Sequence, residues 1–421
     1  MTNYSFLANI NLMKDKKIAE ILKKEVKRQQ LTLNLIASEN YVSKDILETL
    51  GSILTNKYSE GYPNKRYYPG NVFYDEIEIL AQSRGLAAFG LKPEEWHVNV
   101  QPYSGSPANI EIYLALMQPG ETLMAMNLAA GGHLSHGHPV SASGKFWRVI
   151  QYGVNKETGL LDYNQIRELA LKEKPKVIVC GFTAYPREFD FKKFGDIAKE
   201  SNAYLVADIS HIAGLVAAGV HSSPFADTDV VMTTTHKTLR GPRGAVIFVK
   251  KDARELGAKI DRAVFPGMQG GPHNNETAAK AVAFLEAQSA GFKKYQKQIV
   301  KNASALAAEL IARGFKLMTN GTDNHLMLLD MRKFEIDGRM AEELLEHAGI
   351  TANRNSLPED SKPLRPSGVR LGTPAITTRK MKEQEMKLIA IFFERLFVKK
   401  EYPLTIKRDV EKLCKKFPIN P

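Results

Sequence analysis

Between about residues 97 and 250 the chain carries short, nearly unbroken apolar runs: HVNVQP, TLMAMN, PKVIVCGF, AYLVADIS, DVVMTTT and GAVIFVK. Runs of that length, bounded by polar and glycine-rich stretches, read as strands buried on both faces. The stretches between them, such as DEIEILAQSRGLAAF before the first run and PANIEIYLALM after it, have helical periodicity instead. Strands interleaved with helices predict an α/β fold, with a mostly parallel central sheet covered by helices on both faces. The first 30 residues read as a charged helix with Ile18, Ile21, Leu22 and Val26 on one face. Residues 31–75, rich in Asn, Gly, Tyr and Pro, suit ordered loops around a short helix. A long Ala-rich helix, ETAAKAVAFLEAQSA, connects to a smaller C-terminal α/β unit containing NHLMLLDM as a strand and AEELLEHAG as a helix. The expected division is an N-terminal arm over 1–30, a large domain over 31–285 and a small domain over 286–421.

A length of 421 residues, at roughly 150 per domain, agrees with two or three domains. No stretch approaches the roughly 18 uninterrupted apolar residues of a membrane span, and the N-terminus lacks a secretory pattern. The two cysteines, Cys180 and Cys414, are far apart and have no spacing partner. That excludes a disulfide scaffold or a Cys-rich zinc site and makes the cytoplasm the expected compartment. The formal charge of +12 is distributed in short clusters such as Lys23-Lys24, Lys250-Lys251 and Lys415-Lys416. It reads as solvated surface, with a polyanionic metabolite as its best functional use. No RNA-binding signature accompanies it.

The chemistry converges on the strand ends. Asp208 closes AYLVADIS, which carries a carboxylate to the edge where open α/β sheets collect their ligands. The next run, DVVMTTT, delivers Thr234, Thr235, His236 and Lys237 to the same rim. A lysine between buried strands is a usable amine nucleophile once desolvation lowers its pKa. A Schiff-base lysine with a carboxylate placed for a pyridinium nitrogen is the minimum kit for pyridoxal phosphate (PLP). Ser104, Gly105 and Ser106, between a strand and a helix, supply hydroxyls and free N–H groups for its phosphate. Pro107 fits the first turn of that helix. His133, His136 and His138 of GGHLSHGH are candidates for metal ligands. The run contains no carboxylate and its spacing matches no helical zinc motif, so no metal is expected.

Over residues 31 to 380 the chain resembles the serine hydroxymethyltransferase family, PLP enzymes of fold type I. The matching segments are LIASENY, NKYSEGYPNKRYYPG, NVQPYSGSPAN, GGHLSHG, VADISHIAGLVAAG, TTTHKTLRGPRG, FPGMQGGP and SGVRLGTPA. The resemblance implies reversible transfer of the serine hydroxymethyl group to tetrahydrofolate, giving glycine and 5,10-methylenetetrahydrofolate through a PLP aldimine and a quinonoid intermediate. It implies Lys237 as the Schiff-base lysine, Asp208 as the partner of the pyridine nitrogen and His133 as the ring-stacking histidine. Thr183, His211 and Thr234 would lie near the cofactor, and Ser104, Gly105 and Ser106 around its phosphate. Arg370 would clamp the substrate carboxylate, with Ser38 and His236 beside the substrate. Glu60 would act as acid/base at the serine hydroxyl, next to Tyr68. Tyr58, Gly270 and Gly271 would reach the cofactor of a neighbouring subunit, which implies a homodimer or a tetramer of two dimers. Leu128, Gly132 and Leu134, together with Asn355, Lys362, Pro363 and Leu364, would contact folate. Pro107, Ser210, Met268 and Pro366 stand where family members commonly carry other residues, and none of these changes removes a charged or nucleophilic group. The nearest rival on the same fold is a folate-independent β-hydroxy amino acid aldolase, from which the tyrosine-rich segment 58–68 with Glu60 distinguishes this chain. Neither a membrane nor a nucleic acid is required as partner.

Overall fold

A computed structural model describes residues 12–252, 254–358, 360 and 365–419. Seven strands form the large sheet: β1 (Trp96–Asn99), β2 (Thr122–Met126), β3 (Arg148–Tyr152), β4 (Val177–Gly181), β5 (Tyr204–Asp208), β6 (Val230–Thr234) and β7 (Ala245–Lys250). Their order across the sheet is β1-β7-β6-β5-β4-β2-β3. The pairs from β6 to β3 are parallel, and β7 alone runs against both of its neighbours.

The period-2 alternation of side chains explains why the apolar runs are unbroken. Ile178 and Cys180 of β4, Leu205 and Ala207 of β5, and Val246 and Phe248 of β7 enter one core. Val177, Val179, Val206, Ala245, Ile247 and Val249 enter another on the opposite face. A strand covered on both sides leaves no position for a polar residue. β3 was not expected from the sequence. It is an edge strand whose RVIQY stays largely out of the core, with only Tyr152 buried.

Three helices matter for the site. Helix α1 spans Lys16–Leu31, α2 spans Val72–Ala88, and α3, Gly105–Leu116, is buried along most of its length. Two further helices, α4 (Asn274–Ala287) and α5 (Ala290–Ala312), are separated by a break at Gln288–Ser289, where the Ser289 hydroxyl caps α5. Beyond it lies an antiparallel sheet of four strands, β8 (Lys316–Leu317), β9 (Leu326–Asp330), β10 (Asn353–Asn355) and β11 (Gly368–Gly372), in the order β8-β9-β11-β10. Its core also takes in Leu33 and Leu35, and Leu33–Asn34 pairs in parallel with Ile350–Thr351.

The expected apolar face of α1 is not a core face in this chain. Ile18 and Ile21 are 45% and 52% exposed, and Ala19 is the one buried residue of the helix. What holds its end is Arg379, 2% exposed. The guanidinium donates from Nε to Phe417 O (2.7 Å), from Nη1 to Thr32 O (2.9 Å), and from Nη2 to Gln30 O and Cys414 O (both 2.8 Å). One side chain thereby satisfies carbonyls at the C-terminal ends of α1 and of the last helix, α6 (Pro403–Lys416), which would otherwise lack partners. Among the described residues no helix is long and apolar enough to cross a membrane. Cys180 and Cys414 are buried and unpaired.

Candidate active site

Asp208 ends β5 beside β6, in register with Met232, and five residues beyond Met232 the chain reaches Lys237. The turn that carries the lysine is fixed through its backbone. Asn40 Nδ2 donates to Lys237 O (3.0 Å), Gln296 Nε2 to Thr238 O (2.6 Å), and the Thr238 hydroxyl to His211 O (2.9 Å). The lysine side chain opens into a cavity of about 370 Å³. Ser38, Ser104, Gly105, Ser106, His133, Thr183, Asp208, His211, Thr234, His236 and Arg370 line that cavity with Lys237. Twelve of the residues expected from the sequence therefore meet in one place.

The electrostatics are set by burial and by a few partners. Burial pulls the Lys237 ammonium down to about 8, against the opposing pull of Asp208. Burial pushes the Asp208 carboxyl up, but His136, by hydrogen bond and by charge, together with Lys237 and Ser210 outweighs it and holds the group well below the usual carboxylate range. His136 Nε2 donates to Asp208 Oδ2 (3.0 Å), Asn109 Nδ2 donates to the same oxygen (3.1 Å), and Ser210 N–H donates to Oδ1 (3.0 Å). Burial and neighbouring positive charge keep His133 neutral, at about 4. Its Nδ1 accepts from Ser135 N–H (3.1 Å), which leaves the ring proton on Nε2. His236 is also neutral, lowered by burial to about 3. His211 stacks on His325, with Nδ1 and Nε2 3.1 Å apart, and burial drives both well below the usual imidazole range.

At the other end of the cavity α3 begins at Gly105, and the Ser104 side chain caps none of its N–H groups. A Cβ at Gly105 would stand 2.7 Å from Thr234 Cγ2, so glycine is what lets the helix start this close to the end of β6. The buried Thr234 hydroxyl has no hydrogen-bond partner. Free first-turn N–H groups and hydroxyls in this arrangement suit a phosphate dianion. With an ionised buried carboxylate and a low-pKa amine in the same cavity, these residues fit PLP. Arg370, on β11, is 6% exposed. Its Nε donates to Asn353 Oδ1 (3.1 Å) and its Nη1 to Thr183 O (2.8 Å). Among the described residues no carboxylate pairs with it, and burial lowers it to about 10.

A second cluster lies apart from this cavity. The rings of Tyr58 and Tyr68, 57% and 46% exposed, meet edge to face at 5.4 Å. The nearby charge of Glu60 raises the Tyr58 hydroxyl above its ordinary range. A Cβ at Gly270 would lie 3.3 Å from Glu60 Oε1, and one at Gly271 would lie 3.4 Å from the Tyr58 ring. The segment is anchored by buried Arg66, which pairs with Asp75 (2.8 Å) and Glu78 (2.7 Å) on α2. None of Tyr58, Glu60, Tyr68, Gly270 and Gly271 lines the Lys237 cavity.

The folate candidates Leu128, Gly132, Leu134 and Asn355 also lie outside it. Leu134 is 46% exposed. Gly132 is packed so closely that a Cβ would fall 2.1 Å from Met126 O. Asn355 Nδ2 donates to Ser356 O (2.7 Å). Lys362, Pro363 and Leu364 fall outside the described residues.

The sequence reading missed His136, Asn109, Ser135, His325 and Asn353 as supports of the site, and Arg243 as part of the cavity lining. His136 was visible within GGHLSHGH but was weighed there only as a metal ligand. Among the described residues no group of three or more His, Cys, Asp or Glu side chains is placed to hold a metal.

The family model for serine hydroxymethyltransferase matches residues 12–393. A serine hydroxymethyltransferase of Acidothermus cellulolyticus is 54% identical over 383 residues, covering 91% of this chain and 88% of that protein. One from Desulfotalea psychrophila is 52% identical over 408 residues, covering 96% and 94%. On the length of that match and on these identities, the chain belongs to the serine hydroxymethyltransferase family.

Proposed function

We propose that the cavity around Lys237 holds PLP and there carries out the reaction of the family, reversible transfer of the hydroxymethyl group of L-serine to tetrahydrofolate, giving glycine and 5,10-methylenetetrahydrofolate. The observation that carries this reading is the joint presence, in one cavity, of an amine lowered to about 8, a buried carboxylate held ionised and a helix start with free donors. When bound, PLP supplies an aldehyde for the amine and a protonated ring that withdraws electrons from the substrate's α-carbon. Asp208 holds the proton at the ring nitrogen, and His136 and Asn109 keep that carboxylate charged and oriented. Lys237 Nζ, near its pKa at neutral pH, is available as a nucleophile. Ser104, Gly105, Ser106 and Thr234 would cradle its phosphate, and His133, His211 and Thr183, which line the same cavity, would hold its ring. Arg370 receives the amino-acid carboxylate on its unshared Nη2 edge, assisted by Ser38 and His236.

Cleavage of the serine Cα–Cβ bond frees the hydroxyl proton, and Glu60 is the carboxylate assigned to take it. Because Glu60, Tyr58, Tyr68, Gly270 and Gly271 form their own partly exposed cluster outside the Lys237 cavity, we assign them to the site of a second copy, which makes the working unit a homodimer. Two such dimers pairing into a tetramer is compatible with the same arrangement. The exposed Ile18 and Ile21 of α1 are apolar surface of the kind such an assembly covers. Leu128, Gly132, Leu134 and Asn355 are assigned to folate. Two buried unpaired cysteines support the cytoplasm as compartment.

The test is reductive trapping. Borohydride should fix the cofactor covalently to the purified protein and fail to do so in Lys237→Ala. A covalent adduct at wild-type yield in that variant would overturn the assignment.

A further inference from the structure

Residues Val100–Tyr103 connect β1 to the Ser104–Ser106 cradle without belonging to any strand or helix, and all but Tyr103 are buried. Buried backbone of that kind needs partners from elsewhere, and here side chains provide most of them. Gln101 N–H donates to Asn99 Oδ1 (2.9 Å). Gln269 serves the segment twice, donating from Nε2 to Gln101 O (3.1 Å) and accepting at Oε1 from Tyr103 N–H (2.9 Å). Lys280, on α4, closes the set by donating from Nζ to Val100 O (2.7 Å) and to Pro102 O (3.0 Å). Pro102 O also accepts from Ala245 N–H (3.2 Å) at the start of β7.

Lys280 is 1% exposed, and among the described residues it forms no ion pair with a carboxylate. Burial draws its ammonium down to about 8, with the more distant Glu276, Glu111 and Glu78 acting in the opposite direction. The surroundings are shaped to admit it. A Cβ at Gly244 would fall 2.5 Å from Lys280 Cε, so only a bare backbone leaves room for the stem. Gly244 O in turn accepts from Thr235 N–H (3.0 Å), two residues before Lys237. A methionine would fill the same channel without the desolvation cost of a buried cation. The ammonium is therefore explained by what it holds, two carbonyls at the approach to the cradle.

We propose that Lys280 is a positioning residue for the phosphate cradle. By pinning Val100 and Pro102 from below it fixes where Ser104, Gly105 and Ser106 stand, with Gln269 as its auxiliary. This rests on the assignment of that cradle to the phosphate of PLP.

The test is PLP affinity, measured by equilibrium dialysis and fluorescence quenching on the apo form of the full chain, with thermal unfolding of the same samples. Lys280→Met should fold, yet its dissociation constant for PLP should rise about tenfold or more, as expected when a preorganised site is loosened. Lost activity should return as the PLP concentration is raised, which separates weakened binding from lost chemistry. Lys280→Gln, which keeps one donor, should fall between wild type and Lys280→Met. Wild-type affinity in Lys280→Met, or activity that excess PLP does not restore, overturns the proposal. Should Lys280→Met fail to fold, the decision passes to Lys280→Gln and Gln269→Leu, and unchanged affinity in both overturns it. A wild-type protein that takes up no PLP would instead refute the cradle assignment itself.

Discussion

Arg370 offers the most direct quantitative check on the site. Two of its nitrogens are committed, Nε to Asn353 and Nη1 to Thr183 O, and among the described residues it has no carboxylate partner despite being 6% exposed. A buried guanidinium in that state is completed by an incoming anion. A charge-assisted hydrogen bond contributes about 1.5–3 kcal/mol, so two such bonds to a substrate carboxylate amount to about 3–6 kcal/mol, or roughly two to four orders of magnitude in affinity. Comparing L-serine with 2-aminoethanol, which is serine without its carboxylate, isolates that contribution. Wild type should prefer serine by about that factor, and Arg370→Met should bring the ratio of the two dissociation constants close to one. Arg370→Lys keeps a charge but cannot fork, and should lose about one bond's worth, roughly 10- to 150-fold. Dissociation constants from the spectral change on adding each amine to the PLP-loaded protein are the readout, with thermal unfolding as control. If Arg370→Met still discriminates between the two amines as wild type does, Arg370 is not the carboxylate clamp.

Three further outcomes are expected. Glu60→Gln should depress folate-dependent serine cleavage far more than PLP binding, whereas equal loss of both would make Glu60 structural. Arg379→Met strands four carbonyls, one buried and three partly buried, and should cost about 2–4 kcal/mol in urea unfolding, with PLP affinity unchanged; wild-type stability would show that α1 and α6 are held by something else. Glu111 is fully buried with neither oxygen partnered, and burial raises its carboxyl from an ordinary 4.5 to about 8 while the charge of Lys280 opposes the shift. The folded chain then keeps a proton that the unfolded chain releases, so the contribution of Glu111 to stability is fullest below about 4.5 and is lost as pH rises toward about 8. Glu111→Gln should flatten that fall in a series of melting temperatures, and an unaltered slope would place the proton on another group.

The large sheet was legible because its strands are buried on both faces and so announce themselves as continuous apolar runs. β3, at an edge and mostly outside the core, gave no such signal. Lys237 and Asp208 could be brought together from sequence because neighbouring parallel strands deliver their last residues to one rim. His136 could not be assigned to Asp208 in the same way, since that contact depends on how a glycine-rich loop folds back across the sheet. Helix α1 shows the opposite failure. Its periodicity correctly marks a helix, but periodicity does not say whether an apolar face meets this chain's own core or remains open, and Ile18 and Ile21 remain open. The glutamate and tyrosines of segment 58–68 were recognised through their resemblance to a family, because no local pattern tells an exposed carboxylate with a reaction partner from one without.

Arg370 stands on the antiparallel sheet, while Asp208 ends β5 of the large sheet and Lys237 lies on the turn just beyond β6. On the proposed assignment the machinery is modular: the small sheet supplies the group that holds the amino-acid carboxylate, and the large one supplies the amine and acid that act on its electrons. On that assignment, altering β10 and β11 changes how the carboxylate is held and leaves the proposed imine-forming amine and its acidic counterpart untouched.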